Sequence, residues 1–483
     1  MLLVGPDLQL LAGDPLTLVS GVTADSRAVE PGFLFVAVRG LNVDGHDYIP
    51  AAVAAGASAV LAQADYAGAQ PDGVAFLTSP DTQRSLGHVA AELYGHPSRE
   101  LKLVGITGTN GKTTVATLAH DLFTRLGYHC GLIGTVETRI AGERRAATHT
   151  TPDAVAVQSL LAEMAEAGCG YAFMEVSSHA LVQHRVAGTH FAAAVFTNIS
   201  HDHLDYHGDM KAYIAAKKLL FDGLGAEAFA LVNIDDKRGE VMLQNCAARG
   251  LRYALRRLAE YKARILDDDL RGLHLMVGKH EVHTRLAGTF NAYNLLAVYG
   301  LGVEFGHGEE EVLAHLSALP GAEGRLQTIQ VPGQSVLGIV DYAHTPDALK
   351  NVLETLQGTR RQGNKVITVF GCGGDRDAAK RPLMGRIAAE LSDTVIVTDD
   401  NPRTEDPERI RAEIEAGVSP ERRERVLEIA RRAAAIKTAA RLAAHEDVIL
   451  VAGKGHETYQ EIHGVRHDFD DRVHLRDALA ARP

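Results

Sequence analysis

Cysteine is scarce and never paired in spacing: the 483-residue chain holds four, Cys130, Cys169, Cys246 and Cys372, with no C-x-x-C among them. A disulfide framework and a paired-cysteine zinc site are excluded, and a reducing, cytoplasmic setting is expected. No stretch approaches the ~20 apolar residues of a membrane span. Residues 1–7 carry no basic n-region, so neither a membrane anchor nor a secretory leader is expected. There is no basic tract and the net charge is −12. Nucleic acid is therefore not expected as a partner, because its binding draws on clustered Lys and Arg. A small polyanion stays open, since a local cradle and a divalent cation can hold one against an adverse overall field. There is no internal repeat and no low-complexity tract. No strand-like run is followed by G-x-G-x-x-G, which removes support for hydride chemistry on a dinucleotide. What is present, 46% hydrophobic and 23% charged residues, is globular. The length suits about three domains of ~150 residues.

The chain is organised around Gly108, Thr109, Asn110, Gly111, Lys112, Thr113 and Thr114. The apolar run 101–107 reads as a buried strand entering this loop, and 112–126, ended by Gly127, reads as a helix leaving it. Strand, glycine loop, Lys-Thr and helix make a phosphate cradle. Backbone N–H groups and the helix N-terminus face the anion, Lys112 neutralises charge, and the Thr113 hydroxyl can hold Mg²⁺. The strict Walker spacing would put Gly at 106, where this chain has Ile106, so the loop is a shortened G-x-x-G-K-T. ATP binding is expected.

Residues 1–98 read as a separate segment, with Asp25-Ser26-Arg27 before a turn, a strand at 33–38 and an alanine-rich helix from Pro50. In the central part, 170–175 reads as an apolar strand ending in Glu175, as in the acidic motif that organises Mg²⁺ in nucleotide hydrolases. The strand from Phe191 to Thr197 opens into His201, Asp202, His203, Asp205 and His207. Such a cluster at a strand's carboxyl end reads as a ligand or catalytic set, and beside a triphosphate the expected ion is Mg²⁺. Lys217 and Lys218 sit on a following helix. Asn291 and Asn294 open another, and Arg325 follows Gly324.

From about residue 330 regular βα units set in, with strands expected at 336–341, 365–371, 394–399 and 447–452. The loops after them hold Asp341 to Asp347, Gly371 to Asp377, Asp399 to Arg403 and Gly453 to Glu457. Polar, glycine-bearing loops at the carboxyl ends of parallel strands mark a ligand crevice.

These residues together resemble the Mur ligase family of ATP-dependent amide-forming enzymes, and within it the MurE type. The resemblance runs over nearly the whole chain: Asp25-Ser26-Arg27, Gly108 to Thr114, Thr150-Thr151-Pro152, Glu175 to His179, Asp202 to Asp205, Tyr213 to Lys217, Asp341 to Asp347 and Asp400 to Arg403, in order. The short cradle is that family's own form. The resemblance implies an α/β fold of three domains: a UDP-sugar-binding domain over 1–98, a central P-loop ATPase-like, mostly parallel sheet over 99–329, and a Rossmann-like doubly wound amino-acid-binding domain over 330–483.

It also implies roles. Lys112, Thr113, Glu175 and His203 are expected to form the ATP and Mg²⁺ set. Asn291, Asn294, Arg325 and Asp341 would add nucleotide contacts. Lys217 matches a lysine that relatives carry as a carbamate on a second Mg²⁺, with Lys218 as its adjacent rival. Ser26, Leu41, Asn42 and Val43 would meet the uridine diphosphate. Thr150, Thr151, Ser177, Gln183 and Arg185 would hold the muramoyl dipeptide, and Arg376, Asn401, Arg403, Gly453 and Glu457 the incoming amino acid. The activity implied is addition of a third amino acid to UDP-N-acetylmuramoyl-L-alanyl-D-glutamate through an acyl phosphate, in peptidoglycan precursor synthesis by a monomer. Asp-Asn-Pro-Arg goes with meso-2,6-diaminopimelate, while lysine and ornithine stay open. The rivals are another ligase of the superfamily, such as folylpolyglutamate synthase, and a P-loop switch whose hydrolysis drives motion.

Overall fold

The computed structural model describes residues 7–40, 43–147, 149–200, 202–270, 272–360 and 363–482. Among them three large sheets follow one another along the chain, with a two-stranded antiparallel sheet of Tyr459–Ile462 and Val465–Asp468 after the strands of the third. In the first, the parallel strands Gly21–Thr23, Phe33–Val36, Ala59–Gln63 and Ala75–Ser79 are joined at one edge by antiparallel Gln9–Ala12. Asp81 caps the helix Thr82–Leu93 through Arg84 N at 3.0 Å. Leu86, Val89 and Ala90 of that helix share a core with Leu34 and Leu77 of the sheet and with Ala154 of the next domain. Gly87 is required at this junction, because a Cβ there would stand 2.5 Å from the Ala187 carbonyl. The N-terminal domain is thus seated against the segment that carries Gln183 and Arg185.

The middle sheet has eleven strands among the described residues. At its centre Phe229–Asn233, Ala193–Phe196, Lys102–Thr107, Tyr171–Glu175 and Cys130–Ile133 lie side by side in that order, all parallel. These strands are apolar throughout because both faces are covered. Val104 and Ile106 pack with the helices Lys112–Arg125 and Thr289–Glu304, while Leu103 packs on the other face with Ala154–Glu166 and Met210–Asp222. Since the strands are parallel, Gly108, Thr135, Glu175, Thr197 and Asn233 all come out at one edge. The flanks differ from a purely parallel plan. Glu137–Ile140 and Glu143–Ala146 form an antiparallel hairpin at one side, and Tyr261–Asp269, Gly272–Val277 and His280–His283 an antiparallel meander at the other.

The third sheet is doubly wound. Leu337–Asp341, Val448–Ala452, Val366–Phe370, Thr394–Val397 and Val426–Glu428 are parallel in that order. Antiparallel Gln327–Ile329 joins before residue 330, so the sheet begins slightly upstream of the expected division. Its side chains alternate between two cores. Ile339, Phe370 and Leu450 face the helices Pro346–Thr359, Lys380–Leu391 and Pro407–Glu415, and Val340, Val369 and Val451 face Arg432–Leu442 and Asp471–Ala480.

Beneath the carboxyl end of this sheet Arg432 is fully buried. It grips Asp471 with two bonds of 2.7 and 2.8 Å and donates to the Ala452 carbonyl at 2.9 Å. That carbonyl ends the strand feeding the loop Gly453–Glu457. Removing one partner of a buried pair leaves the other uncompensated. Arg432→Met is expected to cost about 3–5 kcal/mol, and adding Asp471→Leu to return most of it, read as thermal melting midpoints.

Candidate active site

The cradle forms as a tight turn because both glycines hold left-handed backbones, Gly108 at φ +149° and Gly111 at φ +91°. A Cβ on Gly108 would meet Thr197 Oγ1 at 1.9 Å, and one on Gly111 would meet Asn294 Oδ1 at 2.6 Å. The loop is pinned from the neighbouring strand end: Thr109 N donates to the Asn198 carbonyl at 2.8 Å, Asn110 N to Asn198 Oδ1 at 3.0 Å, and Thr197 Oγ1 to the Asn110 carbonyl at 2.6 Å. Asn294 Nδ2 in turn donates to Asn291 Oδ1 at 3.0 Å, so the two amides expected at the nucleotide stand together beside Gly111.

Two ammonium groups converge on one carbonyl. Lys112 Nζ donates to the Gly108 carbonyl at 2.9 Å and to that of Thr109 at 2.9 Å, and Lys217 Nζ donates to the Gly108 carbonyl at 2.8 Å. Lys217 is 1% exposed, with its nitrogen 4.6 Å from the centre of the Tyr213 ring. Burial, then the positive charge of Lys112, push its pKa well below the ordinary lysine value, with Asp202 opposing. Its neighbour Lys218 instead pairs with Asp222 along the helix.

Glu175 is 1% exposed and saturated with donors. Thr113 Oγ1 donates to Oε2 at 2.9 Å, Thr135 Oγ1 to Oε2 at 3.1 Å, and Thr135 N to Oε1 at 2.8 Å. Arg325 Nη2, on the segment leading into the third sheet, donates to Thr113 Oγ1 at 3.0 Å. Its guanidinium lies 4.5 Å over the Tyr342 ring. Asp341 accepts from Leu326 N at 2.6 Å and Ala343 N at 2.7 Å, which anchors that segment. A cavity of about 720 Å³ opens between the two domains, lined by Gly111, Asn233, Asn294, Arg325, Asp341 and Lys350 among others.

Of the dipeptide set, Thr151 Oγ1 donates to the Glu175 carbonyl at 2.7 Å and accepts from Ser177 N at 3.2 Å. Arg185 donates to the Thr151 carbonyl at 2.8 Å and to Gln183 Oε1 at 2.7 and 3.0 Å, and the hydroxyls of Thr150 and Thr135 are hydrogen-bonded at 3.0 Å. These five therefore form one patch against the Glu175 strand. Ser26 and Val43 stay with the first sheet. Leu41, Asn42 and His201 lie outside the described residues, as does the Asp205 side chain. His203 takes a left-handed backbone at φ +53° and stands 3.4 Å from Asp202.

In the crevice of the third sheet, Asn401 and Glu457 meet directly, Nδ2 to Oε2 at 2.8 Å. Gly453 packs on Asp400, and Arg403, left-handed at φ +52°, donates to the Gly374 carbonyl at 2.6 Å. Arg376 donates to the Asp375 carbonyl at 3.3 Å on the exposed rim. Sequence reasoning missed three residues here. Thr135 orients Glu175, Thr197 braces the cradle, and Lys454, wholly buried, links Asn401 to Glu457. Only Lys454 left a readable mark, a lysine between two glycines at a strand end.

A phosphate cradle closed by an arginine from the linking segment, sharing a cavity with a domain whose crevice is lined by ionic loops, defines a nucleotide-dependent ligase. Family models agree: the Mur ligase middle domain matches residues 106–302, the Mur ligase glutamate ligase domain 324–455, and the Mur ligase family catalytic domain 18–85. The chain belongs to the Mur ligase family. The UDP-N-acetylmuramoyl-L-alanyl-D-glutamate–2,6-diaminopimelate ligase of Cytophaga hutchinsonii is 51% identical over 462 residues, covering 95% of this chain and 94% of the relative. A solved structure of a ligase of that same name shares 36% identity at a TM-score of 0.70, over 97% of this chain and 96% of that one. A Mycobacterium tuberculosis folylpolyglutamate synthase complexed with ADP is similar in fold at TM-score 0.63 and 21% identity, over 77% of this chain and 91% of that one.

His456, two residues from Lys454, is held down to about 3 by burial and by Arg325 and Arg472. A base with a depressed folded pKa stabilises the fold above its unfolded value near 6.5, and that contribution is lost as pH falls towards the folded value. Between pH 7 and 5 His456 is expected to cost about 2 kcal/mol of stability. His456→Gln should flatten the pH dependence of the melting midpoint over that range.

Proposed function

We propose that this chain uses ATP to join a diamino acid to the glutamate carboxylate of UDP-N-acetylmuramoyl-L-alanyl-D-glutamate, and that the division into 1–98, 99–329 and 330–483 separates sugar-nucleotide, ATP and amino-acid binding. The observation that supports the reading is the reach of Arg325, on the segment leading into the third sheet, to Thr113 of the cradle, beside a cavity lined from both domains. The substrates follow from near-full-length relatives bearing that name.

The chemistry needs two stages. A carboxylate is a poor electrophile, so one of its oxygens attacks the terminal phosphorus and ADP leaves. The amine nitrogen then attacks the carbonyl carbon, and the tetrahedral adduct expels phosphate and loses a proton. In the first stage the chain mainly positions reactants and neutralises charge: Lys112 turns from its loop carbonyls to the phosphates, and Arg325 and the cradle N–H groups take the rest. Thr151, Ser177, Gln183 and Arg185 hold the dipeptide so that its carboxylate faces the cradle. In the second stage Arg403 and Arg376 take carboxylates of the diamino acid and Glu457 an ammonium group. Ser26, with the segment 41–43, receives the uridine diphosphate. Folylpolyglutamate synthase as an alternative is disfavoured by coverage, since the likeness to the mycobacterial enzyme spans less of the chain.

Mg²⁺ fits the donors present. Thr113 Oγ1 and Glu175 Oε2, 2.9 Å apart, are the hard oxygens it prefers. His203 and a carbamate on Lys217 would add to the set, and no group of three His, Cys, Asp or Glu converges as a ready-made ion site among the described residues. Bound Mg²⁺ supplies charge neutralisation on the phosphates. The carbamate reading is supported by burial, which pushes the Lys217 pKa down and so favours the neutral amine that can attack CO₂ with loss of a proton.

Two measurements test this. Phosphate release should require both the UDP-muramoyl dipeptide and an amino acid, with diaminopimelate outrunning lysine and ornithine. Hydrolysis independent of both would favour a switch protein instead. Lys217→Ala should lower kcat by about 100-fold or more, in the range seen when one charge-stabilising group is lost, and short-chain carboxylates should restore part of it. Full activity without them would end the carbamate reading.

A further inference from the structure

Lys454 is an unusual residue to find inside a domain. It is wholly buried, and a lysine is almost never so unless paired. Its ammonium has two partners at 2.9 Å, Asn401 Oδ1 and Glu457 Oε2, and lies 5.4 Å from the centre of the Tyr459 ring. Asn401 Oδ1 also accepts from Glu461 N at 2.9 Å. With that oxygen taken by two donors, the amide has one orientation, and its Nδ2 is directed to the same Glu457 oxygen at 2.8 Å. The loop is inflexible at this point. Gly453 at φ +116° and Gly455 at φ +54° flank Lys454, and a Cβ on Gly455 would stand 2.7 Å from the Gly324 carbonyl. Oε2 of Glu457 is therefore doubly occupied, whereas neither Lys454 nor Asn401 engages Oε1.

We propose that Lys454 is a positioning residue for the amino substrate: it locks Asn401 and one oxygen of Glu457, and so keeps the other oxygen as a charged acceptor for an ammonium group of the incoming amino acid. The proposal rests on the reading of this crevice as the amino-acid site. Its physical basis is the surroundings of Glu457. Burial and the neighbouring Asp400 both favour the protonated acid, and Lys454 and Asn401 oppose them. Tyr342 and Tyr459 also face the carboxylate, and Arg432 lies buried behind it. A protonated Glu457 would lose the charge that attracts an ammonium group, and an unlatched Asn401 could flip and turn its Oδ1, instead of its Nδ2, towards the carboxylate.

The test is the KM for diaminopimelate between pH 6.5 and 9 in the full-length enzyme. Lys454→Met keeps the length and removes the charge. It should raise that KM about tenfold or more near pH 7, worth about 1.4 kcal/mol, leave the KM for ATP within about twofold, and recover as pH rises and Glu457 ionises again. Glu457→Gln should raise it without recovery. A Lys454→Met KM that is unchanged, that rises equally at every pH, or that rises equally for ATP overturns the proposal. Arg403→Ala and Glu457→Gln separate the two levels: if both leave the amino-acid KM unchanged, the crevice reading itself fails. Should Lys454→Met not fold, ¹⁵N spectra of the wild-type lysine ammonium groups decide. A protected, slowly exchanging Lys454 signal supports the latch, and a freely exchanging one refutes it.

Discussion

One backbone carbonyl, that of Gly108, takes hydrogen bonds from two lysines. The two nitrogens are held within about 6 Å of each other, and two like charges at that distance cost about 3 kcal/mol at an effective dielectric near 20. A fold does not place two buried cations so unless an anion is meant to arrive or one of them gives up its charge. On the proposed reading both apply. Lys112 rests on two loop carbonyls that a phosphate would replace. Lys217 is enclosed by Tyr213 and the cradle and driven towards neutrality. The site is thus charged for a polyanion on a protein whose overall charge is −12, which confines the attraction to one place.

The rest of the architecture serves that concentration of charge. Parallel pairing brings five strand ends to one edge, where their loops meet without any chain crossing another. The N-terminal helix Thr82–Leu93 is seated on Gly188, whose Cβ would stand 2.6 Å from the Gly87 carbonyl, so the patch carrying Gln183 and Arg185 is fixed from outside. On the opposite side Glu323 accepts from Arg144 of the middle domain at 3.2 Å and from Arg472 of the third at 2.8 Å. Arg325, two residues later, completes the cradle. The segment between the two larger domains is therefore tied to both of them at Glu323 and reaches the cradle through Arg325.

Much of this was legible in the sequence, for a physical reason. A parallel strand buried on both faces reads as an unbroken apolar run, and the loop at its carboxyl end reads as an abrupt change to glycine and polar residues. The runs before Gly108, Glu175, Asp341 and Gly453 all show that change. The antiparallel flanks did not show it. Strands such as Tyr261–Asp269 and His280–His283 alternate between buried and exposed residues, and Asp267, Asp268 and Asp269 masked the first of them. Pairings between distant segments were also invisible: nothing local says that Thr135 donates to Glu175, or that Lys454 reaches Asn401. Lys217 and Lys218 are adjacent and alike on the page, and only the helix phase separates the buried one from the one paired with Asp222.

Under the proposed reaction, the separation of the two chemical centres between domains follows from the intermediate. An acyl phosphate is lost to hydrolysis wherever water can reach it, so the amine must be held ready while water is shut out. On the proposed reading, placing the phosphate cradle on one domain and the amine site on another would let each form independently and let closure bring them together only when both are filled. That arrangement requires the amine site to be rigid before closure, because a carboxylate that can swing or protonate would lose the substrate's ammonium group. The dense bonding of Asn401, Lys454 and Glu457 meets that requirement, and the buried Arg432–Asp471 pair beneath it fixes the strand from which the loop departs. On that reading, charge that must move sits in the cradle, and charge that must stay still sits in the crevice.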